Sequence, residues 1–72
     1  MLVQVSEENC ESFTFNIIHQ YNGLKISCPY GVCFFKTSFP KYFKDALLKK
    51  HLSQNKINDY EKEFKNILFS TQ

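Results

Sequence analysis

Apolar and polar residues alternate strictly from residue 13 to residue 21, and the alternation resumes after Asn22-Gly23. A period of two is typical of a strand with one buried face. Because Asn-Gly tolerates the positive φ angles of a tight turn, the pattern predicts a hairpin with Asn22 and Gly23 as its two-residue loop. This register places the apolar residues of both strands on one face, and its pairs are Tyr21 with Leu24, His19 with Ile26 and Ile17 with Cys28.

A second turn and further strands extend this hairpin into a sheet. Cys28-Pro29-Tyr30-Gly31 combines a proline, favoured at the second turn position, with a glycine that is free to adopt positive φ. The run 32–36 that follows predicts a third strand and completes a meander. Residues 1–5 leave open a fourth, N-terminal strand at the sheet edge.

Beyond Thr37 the period of the apolar residues changes from two to about 3.6, which is typical of amphipathic helices. The first helix is predicted with a cap at Ser38, with Pro40 in its first turn and an end near Leu52. Its apolar side consists of Phe39, Tyr42, Phe43, Ala46 and Leu47.

Residues 53–56 are interpreted as a short polar link before a second helix. Asn58 and Glu61 have the spacing of a capping box, so this helix is predicted from about Asp59 to Phe69. Its apolar stripe consists of Ile57, Tyr60, Phe64, Ile67 and Leu68.

The element order predicts an α+β fold in which two antiparallel helices pack on one face of a three-stranded antiparallel meander, with the fourth strand left open. The whole chain, residues 1–72, is expected to be a single domain, with the meander in residues 1–36 and the helical hairpin in residues 37–72. No internal repeat or linker divides it.

Composition narrows the class of protein. The 72 residues are 43% hydrophobic, but a chain of this size buries only about 60% of its unfolded surface, so an enclosed active site is not expected. All nine basic residues are Lys, a usage expected from an AT-rich, low-GC genome such as that of a bacterium or its phages. The first residues show neither a basic region nor a long apolar run, so we expect no signal peptide and no membrane association. Three cysteines, an odd number, favour reduced thiols in a cytoplasm.

Four residues offer ligand chemistry for a tetrahedral zinc ion: Cys10, His19, Cys28 and Cys33. Free thiols and no cofactor are the favoured interpretation, because the spacing of Cys28 and Cys33 is wider than that of the commonest zinc knuckle. A three-residue second turn would put Cys33 on the face opposite Cys28, whereas a four-residue turn would pair the two thiols, and both geometries remain open. No third orienting group supports a Cys–His nucleophile, so we expect a protein that is not an enzyme.

A zinc ion at those four residues would make the chain a zinc-stabilised interaction module, which is the second alternative function. The first alternative follows from the basic residues of the first predicted helix. Lys41, Lys44, Lys49 and Lys50 would form a basic ridge for phosphates, which is the basis for a nucleic-acid-binding regulator. The absence of Arg argues against tight sequence-specific recognition, because Lys lacks the planar bidentate donor set.

The sheet face turned away from the helices is the preferred candidate surface. With a three-residue second turn this face consists of Thr14, Asn16, Ile18, Gln20, Lys25, Ser27, Cys33 and Phe35, and Lys36 falls on the apolar side. An apolar centre inside a polar rim is typical of a protein-binding surface, and exposed strand edges offer a second route. Changing Ile18 or Phe35 to Lys should then abolish binding without unfolding the chain.

The sequence therefore predicts a small protein-binding module. Its size and composition suggest an accessory or inhibitor protein of a phage or mobile element, acting in the cytoplasm of the host cell. Its partner would be a larger host protein, for example a component of a defence system. A homodimer formed through the same surface stays open.

Overall fold

A four-stranded antiparallel sheet followed by two helices is seen in a computed structural model of the chain, which describes residues 1–70. The strands are β1 (Leu2–Glu7), β2 (Cys10–Gln20), β3 (Gly23–Cys28) and β4 (Gly31–Phe35), and the helices are α1 (Lys41–Lys49) and α2 (Gln54–Ser70). The strands lie in the order β1-β2-β3-β4. The predicted α+β meander is confirmed, and the N-terminal strand that the sequence left open is present.

The long strand β2 pairs with two different neighbours along its length. β1 pairs with the part that ends at Asn16, and β3 pairs with Asn16 to Gln20. Because β2 lies between β1 and β3 in the sheet, its inward-facing side chains lie in the middle of the core. Phe13, Phe15 and Ile17 are all buried, as their alternation predicts.

Phe15 lies at the centre of a core built largely from aromatic rings. Its ring centroid is 6.1 Å from that of Phe39, 6.4 Å from Phe43, 5.5 Å from Tyr60 and 5.2 Å from Phe64. Tyr60 and Phe64 belong to α2, and Phe43 belongs to α1. Phe39 lies in the segment before α1, so Phe15 contacts both helices and the segment that leads into them. The buried core comprises Val5, Phe13, Phe15, Ile17, Leu24, Ile26, Cys33, Phe35, Phe39, Phe43, Leu47, Leu52, Ile57 and Phe64.

The first hairpin turns at Tyr21-Asn22, and the prediction that Asn22-Gly23 forms the loop is wrong. Asn22 alone of these three residues has a positive φ, 61°, which Asn tolerates. The observed partners are Gln20 with Gly23, His19 with Leu24, Ile18 with Lys25, Ile17 with Ile26 and Asn16 with Ser27. The predicted pairs Tyr21 with Leu24, His19 with Ile26 and Ile17 with Cys28 are thus displaced by two residues. An even displacement keeps every side chain on its face, so the predicted core face of this hairpin is correct.

The second hairpin has the two-residue loop Pro29-Tyr30, with Cys28 opposite Gly31. Compared with the three-residue loop, a difference of one residue reverses the direction of every side chain in β4. Cys33 and Phe35 are buried in the core, with 3% and 0% of their surface exposed, whereas Val32, Phe34 and Lys36 are exposed. The prediction that Cys33 and Phe35 lie on the outer side, with Lys36 on the apolar side, is therefore wrong.

Helix α1 begins at Lys41, after Pro40 rather than after a cap at Ser38. The Pro40 carbonyl accepts hydrogen bonds from the backbone N–H groups of Phe43 and Lys44, both at 3.0 Å. Proline suits this position because it lacks the N–H that a helix start leaves unpaired.

The end of α1 is at Lys49, three residues before the predicted end near Leu52. His51 adopts a φ of 71°, and its N–H donates to the Leu48 carbonyl at 3.0 Å. The N–H of Leu52 donates to the Leu47 carbonyl at 3.1 Å, which completes a Schellman motif, and both leucines are buried. The apolar pattern continued through this motif, although the helix did not.

Helix α2 begins at Gln54 instead of Asp59, because Ser53 acts as its N-cap. The Ser53 hydroxyl accepts from the backbone N–H of Lys56 at 3.2 Å, and the Ser53 carbonyl accepts from that of Ile57 at 3.0 Å. The N–H of Ser53 in turn donates to Glu7 Oε2 at 3.0 Å. Residues 53–56, interpreted as a link, thus contain the cap and first turn of the helix.

Glu61 ties the two helices together, and the predicted capping box with Asn58 is wrong. Its Oε2 accepts from the backbone N–H of Phe39 at 3.0 Å, and its Oε1 lies 3.2 Å from Lys44 Nζ. Asn58 instead accepts a hydrogen bond from the side chain of Gln54 at 3.0 Å. Both residues lie well inside α2, so neither is available to cap its start.

Candidate functional site

The sheet has one face without helices, here called the outer face. Alternation from the buried positions places on it Leu2, Gln4, Thr14, Asn16, Ile18, Gln20, Lys25, Ser27, Val32 and Phe34. The helices pack on the opposite face, against the strand residues of the core. Within residues 1–70, the outer face is therefore the side of the sheet that the helices leave uncovered.

Four large apolar side chains of the outer face are exposed to solvent. The exposed fraction is 71% for Leu2, 47% for Ile18, 51% for Val32 and 39% for Phe34. Single exposed apolar residues are ordinary, but several on one flat face indicate an interaction surface.

Register groups these side chains into two apolar pairs. Leu2 pairs with Asn16, and Ile18 is the next residue of β2 whose side chain lies on the same face. Val32 and Phe34 are likewise successive residues on this face of β4. The strand between the two pairs, β3, contributes Lys25 and Ser27 to this face. In the strand register, Lys25 pairs with Ile18 on one side and with Phe34 on the other. A cation thus lies between two apolar side chains.

Gly23 provides the space that the Phe34 ring occupies. A Cβ placed on Gly23 would lie 2.5 Å from Phe34 Cζ and 2.7 Å from the carbonyl oxygen of Phe35, closer than atoms in contact approach. Gly23 has no positive φ, so close approach is the reason for a glycine here. One edge of the Phe34 ring packs against β3 at Gly23, and the rest of the ring is exposed to solvent.

The charges of the outer face have one sign. Lys25 lies on it, Lys36 follows directly after the end of β4, and no acidic side chain is among its residues. Glu7 reaches toward Ser53 in the helical layer, and Glu11 lines a cleft beside Lys49. The other acidic residues are Glu8 in the β1–β2 turn and Asp45, Asp59, Glu61 and Glu63 in the helices.

The structure keeps most of the predicted surface and changes its apolar centre. Asn16, Ile18, Gln20, Lys25 and Ser27 lie on the outer face, whereas Cys33 and Phe35 are buried. Sequence reasoning missed Leu2, Val32 and Phe34. If the second turn had been predicted with two residues, Val32 and Phe34 would have fallen on the outer face. A firm prediction of β1 would have added Leu2.

The predicted basic ridge is not continuous on α1. Lys44 is paired with Glu61, and Lys50 Nζ lies 5.5 Å from the centre of the Tyr30 ring in a cation–π contact. Lys41 and Lys49, at the two ends of the helix, are exposed. Two of the four cations therefore already have intramolecular partners.

The predicted zinc ligands are not brought together. Cys33 is buried, and burial, with Cys28 nearby, raises the pKa of its thiol to about 12. Burial also raises the pKa values of Cys10 and Cys28, and His19 lies exposed near the far end of β2 from Cys10. Within residues 1–70, no group of three His, Cys, Asp or Glu side chains is placed to hold a metal ion.

An open cleft of about 340 Å³ lies where the β1–β2 turn meets the end of α1. Its lining consists of Asn9, Glu11, Tyr30, Lys49, Lys50 and His51. Two lysines and one glutamate are among its lining residues, so charges of both signs would compete for any charged ligand that enters it. The outer face, with exposed apolar groups and one sign of charge, is the better-defined site.

No protein family, curated protein or solved structure matches this chain. None of the helices formed by residues 1–70 is both long enough and apolar enough to cross a membrane. Function must therefore be inferred from the outer face itself.

Proposed function

We propose that this chain is a small, non-enzymatic protein-binding module that occupies a surface of a larger protein through the outer face of its sheet. The observation that carries this proposal is the exposure of Leu2, Ile18, Val32 and Phe34 on one face. Neutral polar residues surround them, and an apolar centre with a polar rim is the usual anatomy of an interface.

The size of the face indicates how the partner must bind. Four strands about 4.8 Å apart and about 20 Å long present roughly 400 Å², about half of the ~800 Å² that each partner contributes to a standard interface. The contact would therefore extend past the face. β1 is the open sheet edge beside Leu2, whereas at the other edge Tyr42 donates a hydrogen bond to the Val32 carbonyl at 3.1 Å. Strand addition at β1 would supply the remaining area.

The biological setting that we propose follows from composition. A short, Arg-free chain from an AT-rich genome fits an accessory or inhibitor protein of a phage or mobile element. Such a protein would act by covering a surface of a host protein, for example one in a defence system. It would do so in the host cytoplasm, where its three cysteines stay reduced.

Site-specific photo-crosslinking tests the proposed face. A benzophenone amino acid is placed at position 34 on the outer face or at position 48 on α1, where Leu48 has a similar exposure, 40% against 39%. In an extract of the host cell, position 34 should crosslink to one protein that mass spectrometry identifies, and position 48 should not. Crosslinking of that protein from position 48 alone, or equally from both positions, would contradict the proposal.

A further inference from the structure

We infer that the partner segment seated on the outer face is acidic and amphipathic, with a carboxylate between two large apolar side chains. This inference rests on the proposed function and adds the chemistry of the partner to it. The juxtaposition that carries it is Lys25, which lies between Ile18 and Phe34 in one cross-strand row.

Charge complementarity selects an acidic occupant. Lys25 is the charged side chain among the outer-face residues, and all seven acidic residues of the chain lie in the helical layer or in the β1–β2 hairpin near its turn. An approaching carboxylate therefore meets the Lys25 ammonium and no competing acid. When a partner covers Ile18 and Phe34, these apolar neighbours of Lys25 would exclude water from the ion pair, which would strengthen its attraction.

A second copy of the chain fits this face poorly. Two outer faces brought together would place the Lys25 side chains of both copies in one interface that offers no acidic side chain to pair with them, and unpaired like charges disfavour association. The helical layer is no better as an occupant, because its acidic residues are mixed with Lys41, Lys49 and other lysines. The charge pattern therefore favours a different protein over self-association.

A nucleic acid also matches the sign of the charge but not the apolar groups. Binding of single strands relies on aromatic platforms on which bases stack. Phe34 is the aromatic residue on this face, while Leu2, Ile18 and Val32 are aliphatic. Aliphatic side chains around a lysine fit leucine or valine beside a glutamate better than they fit stacked bases.

Fluorescence anisotropy with defined peptides tests the inference. The probe is a labelled nine-residue peptide, Leu-Ser-Glu-Ser-Leu-Ser-Glu-Ser-Leu, in which Leu and Glu share one face of an extended strand, compared with the same peptide carrying Gln or Lys in place of Glu. At low salt the Glu peptide should bind the chain at least fivefold more tightly than the Gln peptide and should lose this advantage in 0.5 M NaCl. Lys25→Glu should remove the preference and favour the Lys peptide, whereas Lys65→Glu, the same charge change on α2, should preserve it.

The outcomes separate this inference from the proposed function. Equal binding of the Glu and Gln peptides, or no binding of either, overturns the acidic-partner inference and leaves the crosslinking result to decide the proposed function. Tighter binding of a labelled oligo(dT) than of the Glu peptide, abolished by Lys25→Glu, overturns both in favour of a nucleic acid. A dimer in sedimentation analysis that Ile18→Lys dissociates would make a second copy the occupant and likewise overturn both.

Discussion

The ring of Phe34 lies where a side chain at Gly23 would be, so that a Cβ on Gly23 would come within 2.5 Å of Phe34 Cζ. The two residues belong to neighbouring strands, and the contact fixes an aromatic side chain on an otherwise open face. The sequence pattern placed Gly23 in the turn, but this glycine lies in β3 and leaves room for Phe34 on the candidate binding surface.

Replacement of Gly23 by Ala tests this relationship. The added methyl would also lie 2.7 Å from the Phe35 carbonyl oxygen, so both ring and backbone must move. We expect a loss of about 1–3 kcal/mol in the free energy of unfolding, measured by urea denaturation. Ser27→Ala, on the same face of β3, is the control and should stay within about 0.5 kcal/mol of wild type. Equal stability of Gly23→Ala and Ser27→Ala would show that the close packing is absent.

Adjacent residues of β4 provide a test of which side faces the core. Phe34→Lys should fold, because this side chain is already 39% exposed, whereas Phe35 is 0% exposed. Phe35→Lys puts a charge into the core and should cost more than about 4 kcal/mol, comparable to the whole stability of a domain of this size. Circular dichroism and thermal unfolding should show a folded Phe34→Lys and an unfolded Phe35→Lys. The reverse result would mean that β4 presents its other face.

Glu61 offers a matched pair of variants for the contact between the helical elements. Glu61→Gln keeps an acceptor for the Phe39 N–H but loses the ion pair with Lys44, whereas Glu61→Ala loses both. We expect losses of about 1 kcal/mol for Gln and about 2 kcal/mol for Ala, because the buried N–H is then left unpaired. Urea denaturation measures both. A Gln variant as unstable as the Ala variant would place the whole effect in the ion pair.

Cys33 predicts how stability responds to alkaline pH. Burial raises its pKa from 9.0 to about 12, so the folded state holds the thiol proton more tightly than the unfolded state. The stabilisation of the folded state by this bound proton is complete below pH 9. It is lost as pH rises from 9 toward 12, where the free energy of unfolding falls by up to about 1.4 kcal/mol per pH unit. The free energy of unfolding of wild type should therefore fall more steeply across this range than that of Cys33→Ala. Parallel curves for the two proteins would show that Cys33 does not titrate differently on folding.

Periodicity predicted the element order and most of the core from sequence. The alternation through Phe13, Phe15 and Ile17 identified the central strand, and the period near 3.6 identified both helices, whose buried residues include Phe43 and Phe64. These signals are repeated many times along the chain, so a local error cannot erase them.

Turn lengths were the part that sequence did not determine. Asn22-Gly23 and Pro29 both mark turns, but a turn residue does not state how many residues the loop holds. An error of two residues at the first hairpin left the faces unchanged, whereas an error of one at the second exchanged Phe34 for Phe35 on the outer face. The polar residues of the site and Ile18 were thus predicted, whereas Leu2, Val32 and Phe34 were not.

The central claim is tested most directly by the affinity of outer-face variants for the partner protein that the crosslinking experiment identifies. Isothermal titration with that purified protein should give a Kd at least tenfold weaker for Ile18→Glu and for Phe34→Glu than for wild type, since each inserts among the apolar groups a charge that also repels an acidic partner. Leu48→Glu, the same change at a similarly exposed position on α1, should bind as wild type does. If both outer-face variants remain folded and bind as tightly as wild type, the outer face is not the binding surface.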